Sequence, residues 1–161
     1  MNNDIRKLID DNWEDTKELI AQKAEEEQKP KTIWDLETKD SETYYRIEAN
    51  GCIEESSFDF TYDECAREVG NAFLTREEAE FELERRNIEA IMMKHGRLFK
   101  YDKCNYYIEY YHSNDILDIC RYSIISYGIP CFETREIAQK VIDEIGEGRL
   151  KKYWFGIKEG K

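Results

Sequence analysis

Histidine is scarce in this chain of 161 residues, which holds only His95 and His112. Neither stands in an H-E-x-x-H or a Cys/His zinc spacing, so no metal site is expected. His95 sits beside Gly96 at a helix end, where a cation suits the helix dipole. No two of the five cysteines (Cys52, Cys65, Cys104, Cys120 and Cys131) form a C-x-x-C pair. An odd, scattered set of this kind reads as reduced thiols of a cytosol. A Cys–His nucleophile pair would have to join Cys104 or Cys131 to His112, and nothing in the local sequence supports it. There is no G-x-S-x-G, no P-loop and no dinucleotide fingerprint, so neither catalysis nor a cofactor is expected. No apolar run approaches the roughly 20 residues that cross a bilayer. Met1-Asn2-Asn3-Asp4 is polar and acidic, unlike a secretory leader. A cytoplasmic protein with no membrane contact is therefore expected.

Charge, by contrast, is abundant. Charged residues make up 37% of the chain, where about 25% is usual. Apolar residues reach 40%, with eleven Tyr, seven Phe and three Trp, which argues for a packed core and against disorder. The length suits one domain or two very small ones packed together. The net charge of −12 is uneven. Residues 1–29 carry nine acids and five bases, residues 30–96 seventeen and eight, and residues 97–161 ten and eleven. All the excess negative charge thus lies in the first 96 residues. Such a surface attracts basic partners and repels nucleic acid, so direct nucleic-acid binding is not expected of it.

The same boundaries divide the organisation: 1–29, 30–96 and 97–161. In residues 4–28, Ile5, Leu8, Ile9, Trp13, Leu19, Ile20 and Ala24 recur at helical spacing, and Pro30 ends the pattern. Asn12 and Thr16 fall near the stripe, so it is not a clean coiled-coil seam. This helix either docks on the chain's own core or pairs with a second copy as a homodimer. Next, Thr43 to Glu48 has strand texture, and Asn50-Gly51 reads as a two-residue hairpin turn. A returning strand starts at Cys52 and extends as far as Phe60. Tyr62 to Val69 is ambiguous. Thr75 and Glu78 form a capping box that opens a helix running to His95-Gly96, with Ala79, Leu83, Ile88 and Ile91 on its inner side.

The second half repeats this order. Asn105 to Tyr110 is a strand, Ser113-Asn114-Asp115 a turn, and Ile116 to Ile125 the return. Phe132-Glu133-Thr134-Arg135-Glu136 opens a helix that ends near Gly146 or Gly148, and Tyr153 to Ile157 is a last strand. Both halves share Gly, then Phe-x-Thr-Arg-Glu-x-Ala, and Trp34 and Phe99 stand at equivalent openings. The expected fold is α+β. An N-terminal amphipathic helix precedes two tandem repeats, each an antiparallel hairpin or meander plus one helix, in one compact body. Phe73 and Phe132 are core anchors ahead of each helix. A phosphate site at these helix starts is the sharper alternative, with Arg76 and Arg135 assisting. Glu77, Glu78 and Glu136 already complement the dipole there and would repel an anion, which favours plain capping.

Trp34-x-Leu36, Tyr44-Tyr45-x-Ile47, Gly51-x-Ile53, Asp63-x-x-x-Arg67 and Gly70-Asn71-x-Phe73-x-Thr75-x-Glu77-Glu78-Ala79 together resemble a module of small phage and prophage proteins of Gram-positive bacteria. The resemblance covers about residues 32–95, with Ser57-Phe58 where that pattern has a tryptophan. It implies a phage origin rather than a chemical activity. The acidity is similar to that of anti-CRISPR and anti-restriction inhibitors, whose carboxylates imitate a phosphate backbone in basic channels. The expected function is a non-catalytic inhibitor of that anti-defence type, acting in the host bacterial cytoplasm. It would bind a basic, nucleic-acid-handling host protein through Glu54, Glu55, Asp59, Asp63, Glu64, Glu77, Glu80 and Glu84. Two alternatives stay open. Arg149, Lys151, Lys152, Tyr153, Trp154 and Lys158 interleave bases with aromatics, as in grips for single-stranded nucleic acid. Otherwise these residues form an amphipathic strand with its lysines in water, or contact the acidic half of a second copy. The last alternative is a structural protein that self-associates through residues 4–28.

Overall fold

A computed structural model of the chain describes Lys17 and residues 32–39, 41–123 and 128–157. The helix expected over residues 4–28 lies outside these described residues. The described fold is α+β. A 3-10 turn at Ile33–Asp35 leads into a hairpin of β1 (Thr43–Ile47) and β2 (Ile53–Ser57), followed by helices α1 (Thr61–Glu68) and α2 (Arg76–His95). A second hairpin, β3 (Tyr106–Tyr111) and β4 (Ile116–Arg121), precedes α3 (Arg135–Ile145) and α4 (Glu147–Arg149), and a π-helix at Leu150–Trp154 follows. Each hairpin is an antiparallel two-stranded sheet, with Tyr45 opposite Glu55 and Ile108 opposite Ile119.

Local chemistry places α2 and α3 as expected. The Glu78 amide donates to the Thr75 hydroxyl (3.2 Å), and the Glu78 carboxylate accepts from the Leu74 and Thr75 amides. The Ile137 amide donates to the Thr134 hydroxyl (3.3 Å). Gly96 and Gly146 end the two helices. The extended backbone ahead of each cap also pairs with a strand. Tyr45 and Phe73 exchange two amide–carbonyl bonds of 2.8 and 2.9 Å, and Tyr106 and Phe132 exchange two of 3.0 and 2.8 Å. In both halves the paired phenylalanine stands two residues before the capping threonine.

Three local expectations are corrected, and one ambiguous stretch is resolved. The first hairpin does not turn on two residues. The Gly51 amide donates to the Glu48 carbonyl (2.9 Å), and Gly51 alone takes the left-handed conformation, at φ +82°. This is a longer turn closed by a left-handed residue. Asp115 (φ +56°) fills that place in the second hairpin. The ambiguous stretch at 62–69 is helical, as α1. The returning strands stop at Ser57 and Arg121, short of Phe60 and Ile125. The last strand is a π-helix instead. Gly146 (φ +91°) breaks the backbone, and Leu150, Tyr153 and Trp154 then bury one side at helical spacing. The aromatic content of this segment is strand-like, but its apolar period is not.

Among the described residues the larger core gathers Ile88 and Met92 of α2, Ile108 and Ile119 of the second hairpin, Phe132, four residues of α3, and Leu150. A smaller core holds Leu36, Tyr44, Phe58 and Ala72. Phe132 is a core anchor as expected; Phe73 is only half-buried and belongs to neither core. Helix α2 packs on the first hairpin and on α3, and its C-terminal Lys94 and His95 reach Glu144 at 2.9 and 2.7 Å. The two halves thus form one compact body.

Gly96 sits where α2 meets the second half. A Cβ there would lie 2.7 Å from the Met92 carbonyl, 3.1 Å from that of Cys131 and 3.1 Å from the Phe132 ring. Two of these neighbours are backbone and cannot swing aside. Gly96→Ala is expected to destabilise the fold by about 1–3 kcal/mol, the usual cost of overpacking. Urea unfolding should show this as a lower midpoint at an unchanged slope.

Candidate functional site

The pleat of β2 divides the acidic residues that the sequence grouped together. Successive strand residues point to opposite faces, so Glu54 and Glu55 cannot belong to one surface. Glu54 turns toward Arg46, whose Nε donates to it (3.0 Å) and to Glu48 (2.8 Å). That guanidinium lies 5.1 Å from the centre of the Tyr62 ring on α1. The Arg46 hydrogen bond holds the Glu54 carboxyl below its ordinary range. On this side one guanidinium is shared by two carboxylates, Glu48 and Glu54.

Asp63 is corrected from surface to interior: it is 3% exposed. Its Oδ1 accepts from the Tyr44 hydroxyl (2.6 Å), and its Oδ2 accepts from the amides of Asp59 (3.0 Å) and Phe60 (2.9 Å). Asp63 therefore fastens the start of α1 to β1. Burial pushes its pKa up, but these hydrogen bonds and the Arg46 charge outweigh that and hold it below the ordinary value. The Tyr44 hydroxyl is pushed up to about 12, by burial and by donation to Asp63. Asp59 and Glu64, both half-buried, flank this arrangement at the start of α1.

Of the other four acids, Glu55 stands opposite Tyr45, and Glu77, Glu80 and Glu84 line one groove. Tyr45 is the junction. Its hydroxyl pKa is raised by burial and then by Glu55 on β2 and Glu77 on α2, against an opposing pull from Arg76. From Glu77, positions 80 and 84 continue along one helix face, since residues three and four apart are neighbours. Arg76 donates to Glu80 (3.1 Å), and Glu84 accepts from Arg149 through two bonds of 2.6 and 3.2 Å. A groove of about 570 Å³ runs beside this row, with Phe81 and Leu83 in its wall and Lys152 and Tyr153 opposite. The Phe81 and Tyr153 rings lie 5.3 Å apart.

The basic-aromatic segment is therefore built into the edge of the acidic one. Arg149 is held by Glu84, and Lys151 by Asp115 at 3.0 Å. The hydrogen bond to Asp115 raises the Lys151 pKa. Tyr153, Trp154 and Phe155 pack against the larger core. Lys152 faces the groove, with its Nζ 4.8 Å from the centre of the Tyr153 ring. Lys158 lies outside the described residues. The sequence reading missed Tyr45 and Phe81. Phe81 carried a signal, being the only aromatic in the charged run from Glu77 to Glu84.

Among the described residues no three His, Cys, Asp or Glu side chains gather at metal-binding distance. His112 lies against the Tyr110 ring at 5.4 Å. Cys131 is buried, and burial pushes its thiol up. Its Sγ donates to the Arg97 carbonyl at 3.2 Å and approaches Asn105 Oδ1 at 3.3 Å. Cys104 is exposed, and its carbonyl accepts from Arg97 (2.8 Å). At both helix starts named as phosphate alternatives the threonine hydroxyl accepts one first-turn amide, that of Glu78 in α2 and that of Ile137 in α3. No described helix is long and apolar enough to cross a membrane.

What the fold and surface define is a small α+β protein that carries an acidic face beside an aromatic groove. Compared with models of protein families, with curated proteins and with solved structures, the chain matches none.

Proposed function

We propose that this protein is a non-catalytic inhibitor of the phage anti-defence kind, anti-CRISPR or similar. It binds a basic, nucleic-acid-handling protein in the host bacterial cytoplasm. The supporting observation is that Glu55 stands opposite Tyr45 on the first hairpin while Glu77 and Glu80 line the groove along α2, in the segment that carries most of the chain's net negative charge. Carboxylates spaced on two rigid elements present fixed negative charge to a basic channel without the conformational cost of ordering a loop. Arg149 and Lys151 are already engaged in ion pairs, so the basic-aromatic segment supports the edge of this face rather than gripping nucleic acid. We also propose that the two halves are copies of one unit, supported by the matched Tyr45–Phe73–Thr75 and Tyr106–Phe132–Thr134 arrangements.

The test is a triple reversal, Glu55→Lys, Glu77→Lys and Glu80→Lys. Glu84 is left intact because its two bonds to Arg149 tie α2 to the C-terminal segment, whereas Glu80 pairs only with the exposed Arg76 of its own helix. The intact protein, immobilised, should capture from bacterial lysate a protein that heparin and high salt both release. Each reversal should weaken binding of that purified protein by about tenfold or more, since like charges placed face to face cost several kcal/mol. A triple variant that binds it as tightly as the parent would overturn the proposal, as would capture indifferent to salt.

A further inference from the structure

Arg67 braces Trp34 at the surface. Its guanidinium lies 5.5 Å from the centre of the Trp34 ring and 5.1 Å from that of Phe58, while its Nη1 donates to the Leu36 carbonyl (2.8 Å). Phe58 and Leu36 belong to the smaller core, so Trp34 is tied to that core and yet is 65% exposed. Beside it lies an apolar groove of about 970 Å³, walled also by Ile33, Phe73, Leu74 and Phe81. A tryptophan already fixed in place beside an apolar recess is the kind of residue that dominates protein contacts. Its ring gains burial on binding and loses little freedom.

The charges at this groove select the occupant. Glu77, Glu78 and Glu82 line it, with Arg67 as the one base among the lining residues. Arg67 is engaged by its ring and carbonyl contacts, and Glu82 is paired with Arg85 and Arg86. Glu77 and Glu78, both exposed, are therefore the charges that an incoming molecule meets. Glu77 and Phe81 also line the smaller groove along the acidic row, so the two recesses adjoin there. A second copy would set the same carboxylates face to face across a two-fold contact. Nucleic acid and anionic membrane would be repelled.

We propose that this groove receives a short amphipathic segment of the basic partner, with apolar side chains against Trp34 and Phe81 and lysine or arginine heads at Glu77 and Glu78. The inference rests on the reading of this protein as a binder of a basic protein, and it adds which part of that protein is held.

The probe is a synthetic peptide of leucine and lysine, about 14 residues or roughly 20 Å long as a helix, with its leucines along one side. It is titrated by calorimetry into the intact protein, whose mass is followed by light scattering. One control peptide replaces leucine by serine, and another replaces lysine by glutamate. The parent should stay a monomer and bind the leucine–lysine peptide about tenfold or more tightly than either control. Trp34→Ala should weaken that binding by about tenfold or more. Should Trp34→Ala loosen the fold, the indole N–H resonance of Trp34 in the parent decides. It should shift with the leucine–lysine peptide and stay in place with the serine–lysine one. With the host protein captured from lysate, Trp34→Ala should weaken binding and leave its salt dependence unchanged, whereas the triple reversal should reduce that dependence. Host binding indifferent to Trp34→Ala would overturn the groove assignment and leave the acidic-face reading standing. Peptide binding as expected, with no salt-sensitive capture from lysate, would overturn the acidic-face reading and support the groove. A leucine–lysine peptide that does not bind, or binds no better than the glutamate control, would overturn the groove assignment, as would a parent of doubled mass.

Discussion

Asp63→Ala is expected to lower the stability of the fold by about 2–4 kcal/mol. The side chain is buried and accepts from Tyr44 and from two backbone amides. Removal of one partner from a buried hydrogen bond leaves the other unpaired, at about 1–3 kcal/mol per group. Tyr44 is itself fully buried, so its hydroxyl would lose its acceptor inside the core. Urea denaturation at neutral pH gives the direct measurement. An effect below about 0.5 kcal/mol, the range of ordinary surface changes, would mean that Asp63 does not fasten α1 to β1. The loss should also depend on pH. The folded pKa of Asp63 lies below its unfolded value, so the carboxylate's contribution is complete above the unfolded value of about 3.9. It fades as pH falls through the folded value, when the protonated acid no longer accepts as an anion. The gap between parent and variant should therefore be widest at neutral pH and narrow toward pH 3.

Phe132→Ala should be as damaging, at about 3–5 kcal/mol, the range for a buried aromatic cut to alanine. Phe132 is 1% exposed, sits in the larger core and closes on Gly96. Its counterpart Phe73 makes the same backbone pairing with a strand but is only half-buried. Phe73→Ala should thus cost less than half as much. Paired urea titrations of the two variants test the asymmetry, and equal losses would mean that the halves are equally supported by these anchors. The contrast separates two contributions that the shared sequence motif joins: backbone pairing, present in both halves, and side-chain burial, complete in one.

What the sequence revealed follows the range of the forces involved. Thr75 with Glu78, Thr134, Gly96 and Gly146 set helix ends through contacts within four residues, and those ends were legible. Both hairpins were legible too, from aromatic and β-branched runs on either side of turn residues. The shape of the first turn was not, because a left-handed glycine closes both two-residue and longer loops. Helix α1 was ambiguous because its start is tied down by Asp63, whose partner Tyr44 stands nineteen residues earlier. The acidic surface was misjudged in part for a local reason, since the alternation of a strand already forbids Glu54 and Glu55 from sharing a face. Two of its features were out of reach of any local rule. Burial of Asp63 and the pairing of Glu84 with Arg149, sixty-five positions apart, exist only once the chain has closed on itself.

Helix α2 is a party wall. One side supports the first hairpin, while Ile88 and Met92 on another complete the interior of the second half. Two rooms that share such a wall cannot be dismantled one at a time, for whatever melts the helix opens both. The smaller interior therefore borrows its permanence from the larger, and the acidic row on α2 stays rigid for the same reason.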